Sequence, residues 1–158
     1  MTDPNRYLRL AIDLARANIA KGGRPFGALV VKDGALIATG VNEILATNDP
    51  TAHAELTAIR AASRKLGSPD LSHCVVYASG HPCPMCLAAM RLAGVREVAY
   101  AYSNDDAAPF GLSTAAIYEE LAKPFAKQSM TIRHLPVQAE GRPDLYVEWA
   151  QQRNKPDA

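Results

Sequence analysis

His53 and Glu55 stand two residues apart in Thr51-Ala-His-Ala-Glu55, and Cys83 and Cys86 form a Cys-x-x-Cys in Pro82-Cys-Pro-Met-Cys86. Cysteine binds metal as thiolate and histidine as neutral imidazole, so these residue types can hold a zinc ion with a carboxylate beside it. Alone, each half is weak. A single histidine is usually an ordinary core or surface residue, and a lone Cys-x-x-Cys serves equally as a redox pair. Together they point to one metal centre. Three ligands, His53, Cys83 and Cys86, leave the fourth tetrahedral position to water, and zinc lowers the pKa of such a water to about 7, giving hydroxide at neutral pH. Glu55 could take the proton from that water and return it to a leaving group. A fourth protein ligand would instead close the site into a structural one. His81, His73, Cys74 and His134 are the residues able to supply it, so a non-catalytic, zinc-stabilised scaffold remains an alternative.

These residues need elements to carry them. From Asp3 to Lys21 the apolar positions Leu10, Ile12, Leu14, Ala15, Ala17 and Ile19 recur at roughly helical spacing, and Gly22-Gly23 supplies a stop. Gly27–Val31 and Ala35–Thr39 flank Lys32-Asp-Gly34, an Asp-Gly hairpin signal. Asp49-Pro-Thr51 offers a cap for a helix from about Ala52 to Leu66, with Leu56, Ile59, Ala62 and Leu66 on one face. Cys74–Ala78 reads as a buried strand, Pro84–Ala93 as a helix ending at Gly94, and Val98–Tyr102 as a further strand. Strand, helix, strand within about 30 residues is a crossover unit with parallel strands. Both cysteines then fall at a helix N-terminus, where free N–H groups and the dipole favour thiolate. Downstream the pattern gives a loop over 103–112, a helix near Ser113–Leu121, a short strand near Met130–Leu135 and a last helix near Asp144–Arg153 that contains Tyr146, Glu148 and Trp149, the tryptophan read as core. The expected architecture is α/β, a mixed sheet of about five strands with helices on both faces.

Composition narrows the class. The 158 residues, 48% hydrophobic, suit one compact domain spanning 1–158. No stretch approaches the roughly 20 apolar residues of a membrane span, and residues 1–20 do not resemble a signal peptide, so a cytoplasmic protein with no membrane partner is expected. A net charge of +1 lacks the Lys and Arg excess that phosphate backbones demand. No nucleic-acid partner is expected; a small-molecule substrate is.

The pattern His53-x-Glu55 followed by Pro82-Cys83-x-x-Cys86 resembles the cytidine deaminase-like superfamily, and within it the bacterial guanine deaminases and related nucleoside deaminases. Pro25-Phe-Gly-Ala28, Asp33-Gly34, Asn42, Asn48–Glu55 and Ile117-Tyr118 also match, so the resemblance covers nearly the whole chain. It implies a three-layer α/β/α sandwich with a mixed five-stranded sheet, one Zn2+ per chain held by His53, Cys83 and Cys86, and Glu55 as proton shuttle in hydrolytic deamination of an amino-substituted heterocycle. It implies further that Phe26 lies against the substrate ring, that Asn42 hydrogen-bonds it, and that the Ala54 backbone N–H meets its polar edge. A homodimer is implied too, with the C-terminal segment, 136–158, covering the active site and sometimes exchanged between subunits. The chain departs from the pattern in two places. Leu112-Ser-Thr114 replaces an acidic Phe-Asp-Asp, which weakens recognition of guanine; a guanine-like purine base or nucleoside stays the main expectation, with specificity altered towards a pyrimidine or triazine as the variant of it. His81 replaces a glutamate and could orient a metal ligand, contact the substrate or be a plain loop residue; it is counted among the candidate substrate contacts. A tRNA adenosine deaminase shares the same core and is the enzymatic alternative.

Overall fold

The structure is a computed structural model and describes residues 3–137 and 140–155. These form two compact units, one ending at Ala122 and the other beginning at Lys123. The first opens with helix α1 (Pro4–Ala20), capped by the Asp3 carboxylate on the Asn5 N–H and started by proline at a position that needs no donor. Its buried stripe is Tyr7, Ala11, Ala15 and Asn18, displaced from the apolar spacing of the sequence. Small residues win this face because α1 lies close on the sheet, and Ile19 is left 53% exposed.

Strands β1 (Gly27–Lys32) and β2 (Ala35–Val41) pair antiparallel through a turn in which Asp33 and Gly34 both have positive φ, the conformation an Asp-Gly hairpin favours. A four-residue helix, α2 (Ile44–Thr47), follows. Helix α3 (Ala54–Leu66) starts two residues later than the sequence suggests. The reason is local: Asp49 spends its carboxylate on the Thr51 N–H and hydroxyl, closing a turn of its own, so the backbone stays extended to His53. Strand β3 (Cys74–Gly80) pairs antiparallel with β1, and helix α4 (Pro84–Leu92) crosses to β4 (Glu97–Tyr102), which pairs parallel with β3. Helix α5 (Asn104–Ala107), held by a Ser103–Asp106 capping box, occupies part of the region expected to be loop, and α6 (Ala115–Leu121) closes the unit.

Among the described residues the sheet order is β2-β1-β3-β4, four strands and mixed, rather than five. Met130–Leu135 is not a strand. A strand exists only as a member of a ladder; this stretch makes none, Pro136 follows without a donor, and Met130 and Leu135 are 70% and 69% exposed. In this second unit the helix is α7 (Leu145–Arg153), where Trp149, expected in the core, is 57% exposed beneath the Arg153 guanidinium. No helix among the described residues is long and apolar enough to cross a membrane.

Side-chain alternation divides the first unit into three layers, α/β/α. Ala28, Val30, Val76 and Ala78 pack with Leu56, Ile59, Cys86 and Met90 of α3 and α4. Leu29, Val31 and Tyr77 pack with Tyr7 and Ala11 of α1. Gly40 sets how closely α3 approaches β2, because a Cβ there would stand 2.4 Å from the Ala54 carbonyl oxygen and 2.6 Å from the Ala58 nitrogen. Both are backbone atoms, which cannot swing aside. Gly40→Ala is therefore expected to destabilise the protein by about 1–3 kcal/mol, measured by urea unfolding, and to weaken zinc retention because it displaces the start of α3; unchanged stability would show that the helix moves freely.

Candidate active site

Two helix N-termini meet on the α3/α4 side of the sheet. His53 is the N-cap of α3 and Cys83 the N-cap of α4, each with extended backbone before its helix begins, so their side chains project from the helix ends. Pro84 at the first helical position fixes where α4 starts, and the Cys86 N–H, an orphan donor of the first turn, points at Cys83 Sγ from 3.5 Å. His53 Nδ1 lies 3.4 Å from Cys83 Sγ, and Cys86 Sγ lies 3.6 Å from Glu55 Oε2. Tyr118 of α6 donates its hydroxyl to the Pro82 carbonyl and so anchors the approach to Cys83.

The electrostatics follow from burial. Cys83 and Cys86 are buried and Glu55 is 6% exposed, so three acidic groups compete within one poorly solvated space. The hydrogen bond from the Cys86 thiol, with those from His53 and the Cys86 N–H, lowers the Cys83 thiol to about 4. Cys86 is pushed up by the bond it gives to Cys83, by burial and by Glu55. The Cys83 sulfur raises His53 above its usual value, and burial raises Glu55. A cation among the three ligand atoms relieves this competition by favouring both thiolates.

His53, Cys83 and Cys86 place one nitrogen and two sulfurs within 4.8 Å of one another. Tetrahedral zinc, with Zn–S about 2.3 Å and Zn–N about 2.0 Å, spaces neighbouring ligand atoms roughly 3.5–3.8 Å apart, so the donor set and its spacing fit that ion. When bound, zinc supplies Lewis acidity and brings a coordinated water towards a pKa of about 7. Among the described residues no fourth donor joins the cluster. His73 is exposed and Cys74 lies in β3, its thiol raised by burial, so neither closes the site. His81 stands apart from the three ligand atoms and packs its ring on Tyr100 and Tyr118, with centroids 4.7 and 5.6 Å away. Three ligands beside a buried carboxylate can hold the ion with a position open and keep a proton acceptor next to it.

Residues 1–102 match the model of the cytidine and deoxycytidylate deaminase zinc-binding region. The chain belongs to this deaminase family. It is similar to guanine deaminase of Bacillus subtilis, 46% identical over 125 residues that make up 78% of this chain and 80% of the relative. The X-ray structure of guanine deaminase from that organism superposes with a TM-score of 0.84 at 40% identity, covering 97% of both chains. The tRNA-specific adenosine deaminase of Aquifex aeolicus is more distant, 37% identical over 94 residues, 60% of this chain and 62% of that protein. As a member of the family the protein is a zinc-dependent deaminase.

The remaining candidates lie outside the three-ligand cluster. Ala54, fully buried, is the first residue of α3, so its N–H has no partner inside the helix. Asn42, at the end of β2, is 5% exposed; its Oδ1 accepts from the Ile44 N–H and its own N–H donates to the Phe26 carbonyl. Phe26 presses its ring edge against Gly80, where a Cβ would stand 3.1 Å away. Phe26 and His81 share the wall of a cavity of about 500 Å3 with Gly80, Leu112 and Asn104, whereas Asn42 borders a separate one. His81 Nδ1 is buried without a hydrogen-bond partner. Sequence reasoning missed the anchoring role of Tyr118, which only the tertiary pairing with Pro82 makes visible. Zinc measured by mass spectrometry of the purified protein is expected near one per chain for wild type and Glu55→Gln, and about tenfold lower or less in His53→Ala, Cys83→Ala and Cys86→Ala; full retention in Cys86→Ala would move the ion elsewhere.

Proposed function

We propose that the protein hydrolytically deaminates a small amino-substituted heterocycle, a guanine-like purine base or nucleoside, with Glu55 moving the protons. The observation that carries this is the buried Glu55 carboxylate, raised by its burial, 3.6 Å from one of three donors that fit zinc. Likeness to the B. subtilis guanine deaminase over 97% of both chains supports the substrate class. In this reading Phe26 lies against the ring, Asn42 offers its free amide N–H groups to it, the Ala54 N–H meets its polar edge, and the unpartnered His81 Nδ1 supplies a further contact.

The preference within that class follows from Leu112-Ser-Thr114. Thr114 gives its N–H and hydroxyl to Asn104 Oδ1, at 3.1 and 3.4 Å, where an acidic residue would present a carboxylate to purine N–H donors. A neutral group recognises such donors more weakly than a charged one. Guanine is then a poorer substrate than in enzymes that keep the acidic pair, and an aminopyrimidine or aminotriazine gains relative to it. We also read residues 1–158 as one deaminase domain that works in the cytoplasm as a homodimer, its 136–158 segment covering the active site and exchanged between subunits. Leu145 and Tyr146, 74% and 84% exposed, support this as apolar surface that a single chain leaves in water.

Ammonia release from zinc-loaded protein, assayed on purines, pyrimidines, triazines, nucleosides and an RNA hairpin, tests the proposal. Glu55→Gln is expected to keep zinc and lose about 10²–10⁴-fold in kcat, and Thr114→Asp to raise kcat/KM for guanine about tenfold. Turnover confined to the hairpin would assign a tRNA deaminase, and no turnover with full zinc a scaffold. Because only ionised Glu55 accepts a proton, kcat/KM should fall as pH drops through its pKa, which burial raises and a bound cation opposes; an acid limb that persists unchanged in the residual activity of Glu55→Gln would contradict that role. Light scattering should return the mass of two chains, and a monomer at assay concentration would remove the exchanged dimer.

A further inference from the structure

Asn18 is a polar residue in the buried stripe of α1, 7% exposed, at a position where helix packing alone calls for an apolar side chain. Its Nδ2 donates to the Arg24 carbonyl at 2.7 Å and to the Asn42 carbonyl at 2.9 Å. Both partners are acceptors only, which fixes the orientation of the amide, and both hydrogens of the NH2 group are spent. The two carbonyls lie on different segments, one in the loop after α1 and one at the end of β2, 24 residues from Asn18. Those segments carry Phe26 and Asn42. The Arg24 carbonyl also accepts the Phe26 N–H at 2.9 Å, and the Asn42 N–H donates to the Phe26 carbonyl at 3.1 Å. One side chain therefore closes a ring of hydrogen bonds around the backbones of both residues.

The surroundings are shaped to this amide. The Asn18 backbone carbonyl accepts the Gly23 N–H at 2.9 Å, and a Cβ on Gly23 would stand 2.4 Å from Asn18 Nδ2. A side chain at Gly23 would therefore have to displace the amide. Asp has the same shape but no donors and would set a carboxylate against two carbonyl dipoles; Ser is too short to span both.

We infer that Asn18 is a positioning residue for the deaminase substrate, clamping the Phe26 loop to the Asn42 backbone so that the ring platform and the ring-bonding amide hold one spacing. This rests on the substrate roles proposed for Phe26 and Asn42. Neither the metal donors nor Glu55 take part in the clamp, so its loss separates substrate binding from chemistry.

The test uses full-length, zinc-loaded protein with Asn18→Asp and, should that variant fold poorly, Asn18→Ser, where water can replace part of the lost bonding. Two readouts are taken together: steady-state ammonia release on the best substrate of the wild type, and hydrogen exchange followed by mass spectrometry. The expected result is KM raised about tenfold with kcat within about threefold, zinc content unchanged, and faster exchange confined to peptides covering 22–27 and 41–45. Protection at 54–60 and 84–90 should hold, and Asn18→Ser should recover part of the KM. Loosened segments with an unchanged KM would overturn the positioning role while leaving the deaminase assignment intact. Equal losses in KM, kcat and zinc with exchange rising throughout in both variants would reduce Asn18 to general stability. A wild type that releases no ammonia from any compound would refute the substrate roles beneath the inference, and the clamp's catalytic meaning with them.

Discussion

The structure depends on gathering two sulfurs, an imidazole and a carboxylate into one buried space without stranding an unbalanced charge. Everything near the site answers to that constraint. The two helix N-termini bring N–H groups and positive dipole ends to where negative charge collects. Extended backbone at His53 and Cys83 keeps both side chains clear of their helices. The partition of protons, with Cys83 lowered and Cys86 and Glu55 raised, is the solution available to the protein alone, and the donor set favours a cation as the fuller one. A buried carboxylate is expensive unless it has work or a partner. In the proposed deamination Glu55 has both.

The sheet makes this possible by dividing its labour between two faces. One face, with α3 and α4, buries the cluster in a continuous apolar layer, so the ligands sit at the starts of two packed helices. The other face holds α1, whose C-terminal end reaches round to the loops bearing Phe26 and Asn42. The metal donors are thus anchored from one side of the sheet, and the loops proposed to meet the substrate from the other.

What could be read from the sequence was what has short-range physics. His53, Glu55, Cys83 and Cys86 were legible because ligand spacing and helix starts are local, and the hairpin because Asp33-Gly34 determines its own turn. The buried stripe of α1 was not: an apolar pattern passes over Asn18, whose value lies in carbonyls of other segments. The start of α3 moved because Asp49 satisfied its turn instead of the helix. The fifth strand failed for a related reason, since the apolar alternation of Met130 and Ile132 states a capacity to pair, and pairing needs a partner edge. His81 was legible as a departure, but its place between Tyr100 and Tyr118 required the fold.

The spacing of the metal donors has a consequence for how the molecule is made. Cys83 and Cys86 are neighbours before anything folds, whereas His53 joins them only across 30 residues of chain, a closure costing about 3 kcal/mol in loop entropy. A nascent chain therefore meets metal first through its two thiols. Ion held by that half-site binds the unfolded state as well as the folded one, so only the increment from the third ligand stabilises the native fold. Competition for the two thiols by other soft ions then acts on the unfolded chain.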